Sequence, residues 1–339
     1  MVVLTLAVVA SLFCYVSAKS CYTRAASWGA NSSFFDAFNF EVDWDPTHGY
    51  VDYIGRDEAS SLGLIKTIGD KVYIGVDYEN VVPDYNRGRK SIRLSSKMTL
   101  KGNNLVVIDL DHMPSTLGKV APAGCSTWPA FWTCGSNWPN HGEIDIIEYV
   151  NTDSVVLTTL HTSSSCNQES ESLDSFSGQW ATTTNNQPSD NCDVNAWDQY
   201  GNQGCGIISD TANTVGSKFN QRGTGGVYVM DWDSSKEIRA FFFPRNVIPS
   251  DLIGGKPNPD SWGKPYARFA IGDDSDCSSD HFSDHNIIFD TTFCGDWAGA
   301  TFSSTCFPQN DCVSFVKYNP SEFSETYWLI NTVEVYEAC

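Results

Sequence analysis

Basic residues are scarce in this chain. Its 339 residues include 21 Lys and Arg against 41 Asp and Glu, which gives a formal net charge of -20. Such an excess of negative charge repels the phosphates of nucleic acids and the anionic surface of membranes. We therefore expect neither class of partner, and a neutral partner is favoured.

Long apolar runs are confined to the N-terminus. Residues 1–18, MVVLTLAVVASLFCYVSA, contain no charged side chain and end in small residues, a pattern typical of a secretory signal peptide. An uncleaved membrane anchor is the alternative interpretation. No other run approaches the roughly 20 apolar residues that are needed to span a bilayer. We expect a secreted, extracellular protein whose mature chain covers residues 19–339.

Closely spaced cysteine pairs are also missing. None of the 12 cysteines forms a CxxC pair of the kind that binds zinc, so disulfide bonds are the favoured interpretation in a secreted chain. Removal of Cys14 with the signal peptide would leave eleven cysteines. At least one of these must be free or bonded outside the chain, and the sequence leaves the pairing open.

Strand patterns fill the mature chain. Alternating or β-branched runs recur from FFDAFNF at Phe34 to NTVEVYE at Asn331, and clusters of Gly, Asn, Ser and Asp separate them. No amphipathic segment of helical period exceeds about three turns. The pattern predicts an all-β protein, a jelly-roll sandwich of two antiparallel sheets. Because no linker divides residues 19–339, we expect one domain.

Two features outside the strands carry predictions. Residues 162–205 are polar and contain Cys166, Cys192 and Cys205, which predicts a long loop that is ordered and stapled by disulfides. The triplet Asn31-Ser32-Ser33 matches the acceptor pattern for N-glycosylation.

The segment GEIDIIEYV, residues 142–150, places three acids among apolar residues. In a regular strand Glu143 and Asp145 share one face, whereas Glu148 points to the other. One extra residue, inserted as a β-bulge between Asp145 and Glu148, would bring all three acids onto one face and the isoleucines onto the opposite face.

Ionising all three neighbouring acids costs free energy, because each negative charge raises the pKa of the other carboxyl groups. Two kinds of site explain such a cluster. A divalent cation could use the carboxylates as ligands. A glycosidase needs one ionised carboxylate and one protonated carboxyl, which lie about 5–5.5 Å apart in a retaining enzyme.

The residues before the acids favour sugar chemistry. The run WPAFWTCGSNWP, residues 128–139, holds three tryptophans and two prolines. Tryptophan faces stack well on the apolar faces of sugar rings, although any single tryptophan is as often part of a core. This composition describes a stacking surface better than a cation site.

The run WPAFWTCGSNWPNHGEIDIIEYVN resembles the catalytic segment of glycoside hydrolase family 16, in particular fungal laminarinase-like endo-1,3(4)-β-glucanases. The resemblance extends to FFDAFNF, GRKSIRL, LHTS, NIIFDTTFCGDWAG and the final VEVY, so it covers nearly the whole mature chain. It implies a β-jelly roll with a concave cleft and endo-acting hydrolysis of β-glucans with retention of configuration.

The resemblance also implies roles for individual residues. Glu143 matches the nucleophile, Glu148 the general acid/base and Asp145 the assisting acid. The expected substrate-binding residues of the cleft are His161, Trp132, Trp138, Trp297, Arg93 and Asp52. Trp128 is a candidate for a purely structural role, and Arg87 and Arg89 compete with Arg93. Asp52 stands where Asn is expected in close relatives, which leaves the subsite preference there open. Tyr149 follows the last Glu where relatives often carry Gly, which predicts a narrower cleft in the same region.

We therefore expect a monomeric β-glucanase that acts on β-1,3 or mixed β-1,3/1,4-glucans and needs no metal or other cofactor. Two alternatives use the same scaffold. A transglycosylase would pass the glycosyl unit to another sugar, and a non-catalytic β-glucan-binding protein would only hold the chain. The presence of all three acids argues against the binding protein.

Overall fold

The computed structural model describes residues 21–30 and 34–339. The predicted signal peptide and the predicted glycosylation site at Asn31 lie outside the described residues. Within the described ranges, no helix is long and apolar enough to cross a membrane.

Strands dominate the described chain, and its helices are short. The strands are β1 Tyr22–Gly29, β2 Phe38–Phe40, β3 Val51–Tyr53, β4 Ile65–Ile68, β5 Lys71–Gly75, β6 Arg89–Ser91, β7 Arg93–Leu100, β8 Asn104–His112, β9 Thr127–Gly135, β10 Glu143–Glu148, β11 Leu157–His161, β12 Gln179–Trp180, β13 Cys205–Ile208, β14 Gly226–Asp233, β15 Glu237–Pro244, β16 Ala267–Ala270, β17 His285–Phe293 and β18 Tyr327–Ala338. The α-helices are α1 Arg56–Ser61, α2 Gly216–Gln221, α3 Ser250–Ile253, α4 Ala300–Thr305 and α5 Cys312–Tyr318. Turns of 3₁₀-helix cover Phe34–Ala37, Arg245–Val247, Pro259–Ser261, Ser279–His281 and Pro320–Glu325, and a π-helical turn covers Gly295–Gly299.

The strands form two large antiparallel sheets. One sheet has the order β16-β15-β14-β8-β18-β5-β4, and β1 also pairs with β18. The second sheet has the order β12-β13-β11-β10-β9-β17-β7-β2, which places β10 near its middle. A separate parallel pair joins β3 to β6. The predicted all-β sandwich of two antiparallel sheets, of the jelly-roll kind, is confirmed.

The main core lies between the two sheets. Ile144 and Phe131 from the second sheet share one buried cluster with Tyr228, Met230 and other side chains of the first. Alternation along each strand produces this arrangement, because every second side chain faces the opposing sheet. The other face of the second sheet is left for polar and aromatic residues, and we call this face the cleft face.

Five disulfides are present among the described residues. They join Cys21 to Cys339, Cys125 to Cys306, Cys166 to Cys277, Cys192 to Cys205 and Cys294 to Cys312. Cys134 is the free cysteine of the described chain, in agreement with the odd count that the mature sequence predicts. Within residues 162–205 three of the paired cysteines fix the long loop, and that loop also contributes β12 to the edge of the second sheet.

Some predicted strands are shorter than the sequence pattern indicates. The run FFDAFNF begins with a 3₁₀ turn, in which the Phe34 side chain is buried, and the strand starts only at Phe38. Apolar alternation alone does not distinguish these two conformations over four residues, since both bury an aromatic side chain against the same core.

Candidate active site

Strand β10 contains the bulge that the acid spacing predicts. Its pairing with β9 runs from Glu143 opposite Cys134 to Asp145 opposite Trp132, and then shifts so that Ile147 lies opposite Phe131. Ile146 is the inserted residue. The pairing with β11 shifts at the same place, between Asp145 and Glu148. The bulge restores the phase of the strand, as a single extra residue must in a period of two.

The bulge separates acids from isoleucines. Ile144, Ile146 and Ile147 are all buried in the core between the sheets. Glu143 and Glu148 are partly exposed on the cleft face, whereas Asp145 between them is only 2% exposed. The apolar packing of the isoleucines on one side of the strand therefore offsets the energetic cost of clustering the acids on the other side.

Tyr149 does not narrow the cleft. It follows Glu148 without a further bulge, so its side chain points to the core face, where it is buried. Its hydroxyl donates a hydrogen bond of 2.8 Å to the carbonyl oxygen of Pro114. The expectation that Tyr149 reshapes the substrate cleft is therefore wrong, and the period-two alternation of strands is the reason.

A histidine joins the acids from the neighbouring strand. His161 ends β11 opposite Glu143, and its Nε2 lies 3.1 Å from Oδ2 of Asp145. Carboxylate oxygens of Glu143 and Asp145 and a ring nitrogen of His161 lie within 4.8 Å of one another. One carboxylate from each acid and an imidazole could coordinate a cation, so these three are the residues that would hold a metal if one bound.

All three acids retain protons more strongly than free side chains do. Burial, followed by the negative charge of Asp145, raises the pKa of Glu143 to about 8. Burial, followed by the charge of Asp290, raises the pKa of Asp145 to about 8. Burial and then Asp145 raise the pKa of Glu148 well above its ordinary value. The cluster therefore keeps protons at a pH where isolated carboxyls have lost them.

Each glutamate is hydrogen-bonded to an indole. Trp128 on β9 donates from Nε1 to Oε1 of Glu148 at 2.8 Å. Trp138, which follows β9 and is 43% exposed, hydrogen-bonds to Glu143 and lowers the pKa of that carboxyl against the opposing effect of burial. Trp128 is thus in direct contact with the acid cluster. The sequence alone left open a purely structural role for this residue.

An acid that sequence reasoning missed lies beside the cluster. Asp290 on β17 is 7% exposed and accepts hydrogen bonds of 3.0 Å from Trp132 Nε1 and from the Tyr53 hydroxyl. Arg93 on β7 approaches it to 3.9 Å and lies 5.2 Å from the ring centroid of Trp132. The available signal was the same as for β10, an acid inside the apolar strand run NIIFD.

The three competing arginines occupy different environments. Arg93 lies on the cleft face beside Trp132. Arg89 is fully buried and donates to carbonyl oxygens, including that of Asp77 at 2.7 Å, so it ties loops together. Arg87 donates from Nη2 to Asp52 Oδ1 at 2.7 Å. Oδ1 of Asp52 thus already accepts two hydrogen bonds from the Arg87 guanidinium, and the role of Asp52 in substrate binding stays a prediction.

The remaining cleft aromatics lie around the two glutamates. Trp297 packs edge-to-face on Trp128 at a centroid distance of 5.8 Å, which brings it to the Glu148 side.

The free Cys134 lies directly across the strand pair from Glu143. Burial, followed by the charge of Glu143, raises the pKa of its thiol to about 12. The structure thus gathers Trp132, Trp138, Trp297, Arg93 and His161 around the acids.

A strand with paired glutamates, an intervening acid and flanking tryptophans on the open face of a β-sandwich defines a glycosidase-type site. The family model described as "XgeA-like, catalytic GH16 domain" matches residues 38–336. A Schizosaccharomyces pombe protein named probable glycosidase is 41% identical over 90% of this chain and 67% of its own length. A probable endo-1,3(4)-beta-glucanase of Aspergillus fumigatus is 39% identical over 93% of this chain and 45% of its own.

Solved structures agree with these matches. Laminarinase 16A from Phanerochaete chrysosporium, with 6-O-glucosyl-laminaritriose in its donor and acceptor sites, is 37% identical, covers 94% of this chain and 100% of its own, and superimposes with a TM-score of 0.83. A structure described as an elongating family 16 beta-1,3-glucosyltransferase is 40% identical, covers 93% of this chain and 99% of its own, and has a TM-score of 0.79.

The chain belongs to glycoside hydrolase family 16. This confirms the resemblance inferred from the acid segment and the expected class, a glycosidase domain. The chain spans about half the length of several curated relatives that it matches, such as the 45% of the Aspergillus fumigatus protein.

Proposed function

We propose that this protein is a secreted, endo-acting β-glucanase that hydrolyses β-1,3 or mixed β-1,3/1,4-glucans with retention of configuration. The observation that carries the proposal is the bulged strand β10, which turns Glu143 and Glu148 onto one cleft face with Asp145 between them. Glucanases and a glucan-bound laminarinase among its relatives support the choice of substrate.

Glu148 is the general acid in the first step. Burial raises the pKa of Glu148, so it holds its proton when substrate arrives. The indole of Trp128 can only donate, and it already occupies Oε1 of Glu148. Because a carbonyl oxygen accepts a hydrogen bond better than a hydroxyl oxygen, the proton is favoured on Oε2, from which it passes to the glycosidic oxygen as the leaving sugar departs.

Glu143 is the nucleophile in the same step. It must be ionised, and its neighbours provide for this in two ways. Burial and Asp145 raise the pKa of Glu143 to about 8, and the Trp138 indole, His161 and Arg93 all oppose that rise. Asp145 is hydrogen-bonded to Glu143, and because burial raises its pKa it can take up the proton that the two carboxyls share when Glu143 ionises. Glu143 then attacks the anomeric carbon and forms a covalent glycosyl-enzyme.

In the second step Glu148 changes from general acid to general base. Now ionised, Glu148 removes a proton from a water molecule that attacks the anomeric carbon, and Glu143 leaves as a carboxylate. Two inversions at one carbon restore the β configuration of the product. The Trp128 hydrogen bond stabilises the Glu148 anion during this step, because a donor strengthens the charged acceptor.

The stereochemistry of the first products tests this proposal. Laminarin is mixed with the protein in deuterated buffer, and proton NMR spectra follow the new reducing ends before mutarotation. The proposal predicts that the β anomer appears first and the α anomer later. Initial formation of the α anomer would contradict a double displacement, and the absence of new reducing ends would contradict hydrolysis.

A transglycosylase is the second candidate. The glucosyltransferase of known structure that is 40% identical to this chain favours it. Both activities share the glycosyl-enzyme, and they differ only in whether water or a sugar hydroxyl attacks it. Mass spectrometry of early products from laminarihexaose separates them, since a transglycosylase gives oligosaccharides longer than the donor while a hydrolase gives shorter ones alone.

A further inference from the structure

The segment between β2 and β3 carries an exposed tryptophan that packs against an arginine. Trp44 is 75% exposed, and the guanidinium carbon of Arg87 lies 5.1 Å from its ring centroid. An arginine at this distance over an aromatic face is held there by a cation–π attraction. The arginine therefore covers one face of the indole, while most of the ring remains open to solvent.

The arginine behind Trp44 is itself immobilised. Arg87 donates from Nε and Nη2 to Oδ1 of Asp52 at 3.0 and 2.7 Å, and from Nη1 and Nη2 to the carbonyl oxygen of Val42 at 3.1 Å. A guanidinium held by two acceptors on different segments has little freedom to rotate. The indole stacked on it is thereby pre-organised, which reduces the entropic cost of binding a flat ligand.

Trp44 belongs to the cleft side of the molecule. The next residue, Asp45, accepts a hydrogen bond of 2.5 Å from the Thr292 hydroxyl. Thr292 lies two residues after Asp290 on β17, so both side chains project from the same cleft face. The segment that carries Trp44 is thus anchored at the end of the cleft where Asp290 meets Arg93 and Trp132.

We propose that Trp44, supported by Arg87, is an outer sugar-binding platform that stacks on a glucose unit of a bound β-glucan chain. This inference rests on the proposed function. The apolar face of a glucose ring matches the open indole, and a neutral polymer is the partner that a net charge of -20 permits. Because the platform lies at one end of the cleft, only chains long enough to extend beyond the central residues reach it.

Binding measured by calorimetry tests the platform. The Glu143→Gln variant, which should bind glucans without cleaving them, is compared with Glu143→Gln/Trp44→Ala on laminaribiose and on laminariheptaose. The expected result is that loss of Trp44 weakens laminariheptaose binding about tenfold, the scale of one aromatic stacking contact, and leaves laminaribiose binding unchanged. Trp44→Phe in the same background should retain most of the affinity.

A second exposed tryptophan, Trp197, provides the matched control. Trp197 is 93% exposed, and no cation stacks on its ring among the residues described, so Trp197→Ala should leave both affinities unchanged. Equal laminariheptaose affinity with and without Trp44 would overturn the platform and leave the proposed function intact. If Glu143→Gln binds no β-glucan of either length, the proposed function fails and the platform fails with it.

Discussion

The indole Nε1 of Trp128 donates a 2.8 Å hydrogen bond to Oε1 of Glu148. The two residues lie on adjacent strands, and the bulge at Ile146 sets the register that lets them meet. Because the indole nitrogen only donates and a carbonyl oxygen is the better acceptor, this bond favours Oε2 as the oxygen of Glu148 that carries the proton in the general acid.

Trp128→Phe removes that donor and keeps the ring. Without the hydrogen bond the Glu148 anion loses a stabilising partner, so the pKa of Glu148 rises further. Asp145 on the same strand, His161 on β11 and Glu143 are the other charged groups that act on it. We expect kcat on laminarin to fall about tenfold and the alkaline limb of the pH profile of kcat to move to higher pH.

Trp262→Phe is the matched control for that change. Trp262 also donates from its indole to a carboxylate, that of Asp251 at 2.9 Å, but it packs on the outer side of the first sheet. Its pH profile should equal that of the parent protein. An unshifted profile in Trp128→Phe would contradict the assigned role of Trp128.

Chemical rescue tests the nucleophile. Glu143→Ala should lower kcat by about 10⁴-fold or more, because no carboxylate remains to form the glycosyl-enzyme. Azide can enter the vacated space and attack from the same side, with an activated β-glycoside as substrate. We expect rate recovery and an α-glycosyl azide, identified by NMR. A β-glycosyl azide, or recovery in Glu148→Ala alone with inversion, would reverse the two assignments.

Stability should depend on pH through Asp145. Its folded pKa, about 8, lies above the ordinary value of 3.8, so the folded protein holds a proton that the unfolded chain releases between these two values. Stability is therefore lost progressively as pH rises from about 4 to 8. Asp145→Asn cannot ionise, and its melting temperature relative to wild type should rise across this range.

The hydrogen bond with Glu143 opposes the rise in the pKa of Asp145 and so limits the size of that effect. We expect Asp145→Asn to gain about 1–3 kcal/mol in the free energy of unfolding at pH 8 relative to pH 4. Asp70→Asn, on an exposed turn before β5, is the control and should show no such trend. A constant difference between Asp145→Asn and wild type at every pH would contradict the shifted pKa.

The single thiol of the cleft should resist alkylation in the folded protein. The pKa of Cys134, raised to about 12, leaves almost no thiolate at pH 8, and the thiolate is the reactive form. Iodoacetamide at pH 8 should label Cys134 only after denaturation, as mass spectrometry of the peptide will report. Rapid labelling of the native protein would show that the cleft does not suppress ionisation there.

Asp290 should position the tryptophan and arginine of the cleft. Asp290→Asn keeps the shape of the side chain but removes the charge that attracts Arg93 and strengthens the bonds from Trp132 and Tyr53. We expect KM for laminarin to rise about tenfold with a smaller change in kcat. A kcat loss as large as that of Glu143→Gln would instead place Asp290 among the catalytic groups.

Local spacing predicted the centre of the site better than its surroundings. Glu143 and Glu148 are five positions apart and cannot share one face of a strand without a bulge, so the strand geometry could be derived from the spacing, and the bulge is confirmed. Trp128 and Asp290 could not be assigned in the same way. Their roles depend on which strands lie beside β10, and the order β10-β9-β17 is set by long-range pairing that the local sequence pattern does not reveal.

The most direct test of the account is reducing-sugar release from laminarin, barley mixed-linkage glucan, cellulose and agarose by wild type, Glu143→Gln and Glu148→Gln. We predict release by wild type from laminarin, from barley glucan or from both, with about 10²–10⁴-fold loss in Glu148→Gln and a loss at least as large in Glu143→Gln. Release from none of the four polysaccharides, or near-normal turnover in either variant, would contradict it.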